Sequence, residues 1–291
     1  MSVPEGRLRD EQINELYERN VRPLLFEGIA PSERPVVVFV GAQPGAGKSR
    51  TVDAVRRQLG THSVAISGDE FRQFHPLYAR LRRENPVAMP NATQHFSGPA
   101  VGRAIEDARA RRVNVVIEGT CRDPDTTFAT MRRFADGGYR TRLVVVSTPL
   151  AQSQLAAVQR YLNAVAADVE ARWTPIGAMS TGYEESAQIL ASARTVPWCH
   201  EISVYDRDGD VIAFDARGAE PEGAWATATR LDHACRESRI ANAPSPEQYA
   251  AELADVERIA RELGQDGAEF ASAYALLRDR LAELRGDAAS R

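Results

Sequence analysis

Lysine is almost missing from this chain. Lysine and arginine together number 36, yet Lys48 is the single lysine. It follows Gly47, not asparagine, so the N-K-x-D motif that reads guanine in Ras-type GTPases cannot exist here. Cysteine is scarce too. Cys121, Cys199 and Cys235 are too few and too scattered for a disulfide framework, and no two are spaced C-x-x-C. The five histidines show no metal-ligand spacing, and His200-Glu201 lacks the second histidine of H-E-x-x-H. No apolar run approaches the roughly 18 residues of a membrane helix. Met1-Ser2-Val3-Pro4-Glu5 lacks the basic-then-apolar pattern of a signal peptide. Excess charge is also absent. Acidic residues number 40 against 36 basic, a formal charge of -4, which supports no global nucleic-acid or membrane-surface role. Hydrophobic residues at 43% and charged residues at 26% exclude disorder along the whole length. The expectation is a cytoplasmic enzyme.

The chain reads as alternating strands and helices. Residues 10–28 space their apolar side chains as an amphipathic helix that Pro23 should kink or end. Val36 to Val40 is an apolar, β-branched run, as in a strand buried on both faces. A Gly-rich turn and a helix to Leu59 follow. Further strands are expected at 64–66, 113–117 and 143–146. Helices are expected at 94–111, despite Pro99, and at 125–136, 150–171 and 180–194. This alternation implies a parallel sheet flanked by helices. Runs 202–205 and 211–214 flank Asp208-Gly209, a hairpin signal. A helix is expected at 222–240, then a linker, Ala243-Pro244-Ser245-Pro246. A helical pair at 247–263 and 268–285 closes the chain. Residues 1–242 are expected as one domain and 243–291 as a C-terminal helical hairpin.

Ala42-Gln43-Pro44-Gly45-Ala46-Gly47-Lys48-Ser49 fits the Walker A spacing, with Ala42 where the strict form has glycine. Glycines let backbone N–H groups converge on phosphate oxygens, and the following helix adds its positive N-terminus. Lys48 would reach the β- and γ-phosphates of ATP, and the Ser49 hydroxyl would bind Mg2+. The same loop serves switches, motors and kinases. No apolar strand ends in the Asp-Glu pair of many motors, so a small-molecule kinase fits best. Such an enzyme needs a base near the acceptor hydroxyl and cations on the transferred phosphoryl group.

Four more segments then become legible. They are Ile66-Ser67-Gly68-Asp69-Glu70-Phe71-Arg72 with His75-Pro76, Val116-Ile117-Glu118-Gly119-Thr120 with Arg122, Gln159-Arg160-Tyr161, and Ala171-Arg172-Trp173-Thr174-Pro175. In order and spacing they resemble the zeta toxin family, over roughly residues 10–215. These are P-loop kinases that phosphorylate the 3′-hydroxyl of the sugar in UDP-N-acetylglucosamine. The resemblance implies a P-loop kinase-like α/β fold, a small-molecule acceptor and a small helical antitoxin as partner. It implies Asp69 as catalytic base, Glu118 near substrate and metal, Thr120 and Arg122 as substrate contacts, and Arg160 and Arg172 as phosphate-reaching arginines. Read without the family, Asp69 is a helix N-cap, Glu118 a solvated strand end, and the arginines surface charges. The stretch from Pro86 to Gly98 matches the family poorly, which leaves open a kinase acting on another metabolite. A nucleotide-dependent binding module with the C-terminal pair as docking surface is a further reading.

Other signals are bland. Asp206-Arg207-Asp208-Gly209-Asp210 has its glycine one place too early for an EF-hand and reads as a polar hairpin tip. Arg109, Arg111 and Arg112 read as a solvated helix end. Tyr249, Leu253, Val256, Ile259 and Leu263 form a stripe expected to pack.

Overall fold

In the computed structural model the described residues are 7–60, 62–121, 123–169, 171–218, 224–226 and 230–289. The chain opens with α1 (Asp10–Leu16), a π-helical turn at Tyr17–Val21 and α2 (Arg22–Phe26). Pro23 sits in the first turn of α2. Proline has no N–H to donate and its ring crowds the carbonyl four residues back, so the widened turn just before it absorbs the break. The expected single helix is therefore three joined pieces. Next come β1 (Val36–Gly41), α3 (Lys48–Leu59) and β2 (Ser63–Ser67). Then α4 (Gly68–Phe71), a 3-10 turn at Arg72–Phe74 and α5 (Tyr78–Glu84) fill a stretch where no helix was expected. The long α6 (Met89–Arg111) starts five residues before its expected position and carries Pro99 inside it.

The second half continues with β3 (Asn114–Gly119), α7 (Pro124–Asp136), β4 (Arg140–Val146), α8 (Leu150–Ala166) and α9 (Gly177–Ala193). The helix expected over 150–171 thus ends at Ala166, which leaves Arg172 on a non-helical segment. The hairpin forms as expected from β5 (Glu201–Tyr205) and β6 (Val211–Ala216), with Gly209 at φ 95° in its tip. After it come α10 (Leu231–Ala241), α11 (Pro246–Glu262) and α12 (Ala268–Ala289). The helix expected from 222 begins at Leu231, and residues 222–223 and 227–229 lie outside the described residues.

The strands form one sheet in the order β2-β3-β1-β4-β5-β6, with β6 antiparallel at one edge and the rest parallel. The central strands bury both faces, which is why they read as unbroken apolar runs. Val37 and Phe39 face a core built with α6, α7, α9, α10 and the N-terminal helices. Val38 and Val40 face α3 and the loop that precedes it. A third core joins α8, the 171–176 segment and the start of α9 to α11 and α12. Tyr249, Leu253 and Val256 are buried in it, with Ile259 and Leu263 packed alongside. Arg112 ends α6 in left-handed backbone and hydrogen-bonds the carbonyls of Gly137 and Glu33, while Arg111 stacks over Phe26. These arginines staple loops rather than only facing solvent. No described helix is long and apolar enough to cross a membrane.

Candidate active site

The site lies at the C-terminal ends of β1, β2 and β3, where open α/β sheets form their ligand crevice. β1 hands the chain to residues 42–47, and α3 starts at Lys48. Gly45 (φ 79°) and Gly47 (φ 95°) adopt left-handed backbone, which a side chain resists. Space forbids a side chain as well. A Cβ on Gly45 would lie 2.1 Å from the Ser153 carbonyl oxygen, and one on Gly47 2.7 Å from that of Arg207. Gly47 is also the N-cap of α3 and offers no side-chain cap, so the helix's first amides await an external acceptor.

The loop is held from beneath. Buried Gln43 donates from Nε2 to the Thr148 carbonyl (2.9 Å) and to Ser153 Oγ (2.8 Å). Thr148 Oγ1 donates to the Ala46 carbonyl (2.7 Å). Ala42 and Ala46 are wholly buried. Of the eight residues expected at the nucleotide, then, Gln43 commits its side chain to the fold and keeps only its backbone for a phosphate. Lys48 Nζ donates to the carbonyls of Ala42 (3.1 Å) and Gln43 (3.2 Å), and Ser49 is exposed in the first turn of α3.

The other expected residues gather around Lys48. Asp69 stands on α4, two residues beyond β2. Glu118, near the end of β3, pairs in register with Val40 on one side and Ser67 on the other. Thr120 is half-buried just after β3. Arg160 lies on α8 and donates to Thr174 Oγ1 (3.2 Å), which ties it to the segment carrying Arg172. Arg122 lies outside the described residues. Asp69 does not cap α4. Ser67 occupies the N-cap position, and Asp69 Oδ1 instead accepts from Arg72 Nε (3.0 Å).

The charges act on one another. Burial lowers the Lys48 pKa, opposed by Glu118 and Asp69 and reinforced by Arg160. Burial works to raise the Asp69 carboxyl. The Arg72 hydrogen bond and the charges of Arg72, Arg172 and Lys48 outweigh it and hold Asp69 below its ordinary value. Burial pushes Glu118 up, helped by Asp69 and Glu70 and resisted by Lys48 and Arg172. Desolvation and the like charge of Arg172 lower Arg160, while Asp69 and Glu118 resist. Cys121, wedged against Gly41, is pushed up to about 11 by burial and is no ready nucleophile. The arrangement places Lys48, Arg160 and Arg172 with the carboxylates of Asp69 and Glu118 around the glycine-rich loop between β1 and α3.

The family model described as Zeta toxin matches residues 25–218. The chain belongs to the zeta toxin family. Curated relatives include the toxin PezT of Streptococcus pneumoniae, 30% identical over 52% of this chain and 60% of PezT. The chain thus spans less than two thirds of that relative. Toxin zeta of Streptococcus agalactiae is 27% identical over 69% of this chain and 70% of its own length. Among solved structures, a chain from the PezAT chromosomal toxin–antitoxin system of Streptococcus pneumoniae superposes with a TM-score of 0.69 at 22% identity. The match covers 89% of this chain and 98% of that one. It establishes a shared fold for this zeta family member.

Three features of the zeta-family site carry no sequence signal of their own. Arg72 holds Asp69, although only its place beside the Gly68-Asp69 pair hinted at it. Thr174 holds Arg160, and the motif that contains it was visible but its partner was not. The hairpin tip at Arg207 closes on Gly47. That contact joins two loops distant in sequence, and nothing in the residues 206–210 announces it.

Proposed function

We propose that this zeta family member is a kinase that moves the γ-phosphoryl group of ATP to a sugar-nucleotide hydroxyl, with the 3′-hydroxyl of UDP-N-acetylglucosamine as acceptor. The observation that carries the reading is the convergence of Lys48, Arg160 and Arg172 with Asp69 and Glu118 at the mouth of the phosphate loop. The donor set suits a triphosphate: left-handed glycines, an uncapped helix N-terminus and one compact ammonium. Ser49 and Glu118 would supply the hard oxygen ligands that Mg2+ prefers. When bound, that ion would neutralise charge on the transferring group.

Lys48 would hold the β- and γ-phosphates while Arg160 and Arg172 spread over the oxygens of a loose transition state. The acceptor oxygen bonds to the γ-phosphorus as its bond to the bridging oxygen breaks, and ADP leaves. The hydroxyl proton passes to Asp69. Ionised at neutral pH, Asp69 is a weak base, so its main contribution is to align the hydroxyl as the bond forms. Glu118, Thr120 and Arg122 would contact the acceptor. The division at residue 242 would separate this kinase unit from a helical hairpin that buttresses it through α8. A small helical antitoxin, as the family resemblance implies, would restrain the activity; the PezAT chain likewise comes from a toxin–antitoxin system.

The test is turnover by purified protein with ATP, Mg2+ and a panel of sugar nucleotides, with products identified by mass. Asp69→Asn should bind ATP normally and lose about 10²- to 10⁴-fold in rate. Unchanged kcat and KM in that variant would end the assignment. Nucleotide binding with no acceptor phosphorylated would favour a binding module.

A further inference from the structure

We propose that Arg72 is a positioning residue for the reaction, a strut fixed on α6 that holds the Asp69 carboxylate in line with the phosphate loop. The proposal rests on the kinase reading and on Asp69 as its base. Arg72 is an arginine only 9% exposed. Its Nη1 donates to the Pro90 carbonyl and to Thr93 Oγ1 (3.0 Å), and its Nη2 to Gln94 Oε1 (2.7 Å). Thr93 Oγ1 in turn donates to the Met89 carbonyl (2.9 Å), so it is a lone pair that faces Arg72. That leaves Nε, which reaches Asp69 Oδ1 at 3.0 Å. Four of the five N–H groups are thus engaged, and a planar guanidinium so held has one orientation.

Asp69 is the opposite case. Its side chain is 73% exposed, open to the crevice even though the protein around the crevice partly desolvates its carboxyl, so its own contact surface does little to fix its rotamer. Among the described residues, Arg72 is the one hydrogen-bond donor to its carboxylate. A mobile base spends little time aligned with an acceptor, and a misplacement of about 1 Å can cost about 10²-fold in rate. Stability alone does not account for the arrangement. A pair with one exposed partner adds little, and burying a guanidinium carries a desolvation cost that an apolar side chain would avoid.

The groups facing Asp69 are Arg72 from the 3-10 turn, Lys48 from α3, Arg172 from the segment after α8, Arg160 from α8 and Glu118 from β3. Removing Arg72 takes away the hydrogen bond and the largest opposing charge. The Asp69 carboxyl should then titrate at higher pH, and the acid limb of kcat/KM should move up with it.

Two readouts keep this inference separate from the kinase reading. The first is a 13C NMR titration of the Asp69 carboxyl, assigned by its loss in Asp69→Asn, with no substrate present. Arg72→Gln should raise the midpoint; a midpoint that stays put overturns the contact, whatever the enzyme does. The second is steady-state kinetics. Arg72→Gln should lower kcat about 10- to 100-fold with the KM for ATP within about twofold. Arg72→Lys keeps the charge and loses the fork, so it should restore the midpoint without restoring kcat. Full recovery of kcat in Arg72→Lys would show that charge rather than placement matters, and would overturn the strut. If Arg72→Gln fails to fold, Gln94→Leu removes one anchor at an exposed position. It should lower kcat severalfold at unchanged Tm, and normal kcat there also overturns the inference. A wild-type protein inert toward every acceptor would overturn the kinase reading, while the titration still decides whether Arg72 grips Asp69.

Discussion

Lys48 separates charge from shape. Lys48→Ala should abolish phosphoryl transfer and leave the circular dichroism spectrum unchanged, because the lost group stabilises transition-state charge rather than the core. Lys48→Arg keeps the charge but brings a broad fork to a nest already crowded by the carbonyls of Ala42 and Gln43, so it should also be poor. Near-normal turnover in both would remove the phosphate-loop assignment. His200 offers a test at the far end of the sheet. Its Nδ1 accepts from the Thr141 N–H (3.1 Å), which requires that nitrogen to be unprotonated. Burial, with Arg140 and Arg217, lowers its pKa against the pull of Glu201. Since the folded value lies below the unfolded one, the stabilisation is complete above about pH 6.5 and is lost as acid protonates the unfolded chain first. Tm should therefore fall between about pH 7.5 and 5.5, and His200→Asn should flatten that slope. An identical slope in the variant would assign the loss to other groups. Lys48 was legible from the loop motif after β1, and Asp69, Glu118, Arg160 and Arg172 were picked out by the resemblance to the zeta family. Arg72 and Gln43 were not, because their orientation depends on Thr93, Gln94 and Ser153, partners that no local pattern names.

At the level of elements, the strands were legible because burial on both faces leaves unbroken β-branched runs such as Val36 to Val40. The short helices between Gly68 and Glu84 were not. They are polar, interrupted by Pro76 and held by contacts with α6, so no periodicity marks them. The end of α8 was misplaced for a related reason: the apolar spacing runs on into Ala171 and Trp173, but those side chains serve a different packing. Trp173 and Phe270 meet edge to face with centroids 4.9 Å apart, and Tyr161 lies 5.1 Å from Trp173 and 5.8 Å from Phe270. Tyr161 follows Arg160 and Trp173 follows Arg172, so one residue of α12 braces both arginine-bearing segments. Phe270 is 2% exposed. Phe270→Ala should cost about 3–5 kcal/mol in urea unfolding, the range for truncating a buried aromatic side chain. A loss below about 1 kcal/mol would mean that the cluster is not packed as described.

For the whole molecule, the C-terminal pair completes a core rather than decorating one. Leu155, Val158 and Leu162 of α8 are buried together with Leu253, Val256 and Leu277. A chain ending at Asn242 would leave that face of α8 in water, an apolar patch of the kind that drives association. Such a truncated protein should melt well below the full chain and bind a hydrophobic dye at room temperature, whereas an unchanged Tm would show that α8 needs no cover. Composition marked the linker Ala243-Pro244-Ser245-Pro246 between α10 and α11, but not the docking, which depends on surfaces more than 80 residues apart in the sequence.

The scarcity of lysine has a practical side. The 291 residues carry one side-chain amine, and it stands on the floor of the phosphate loop with burial favouring its uncharged form. With the N-terminal amine blocked beforehand, an aldehyde-bearing phosphate ester followed by borohydride should fix a single label, on Lys48. Bound nucleotide should shield it, so the mass increment itself would count vacant sites. Trypsin, left with arginine alone elsewhere, would return that label in one peptide.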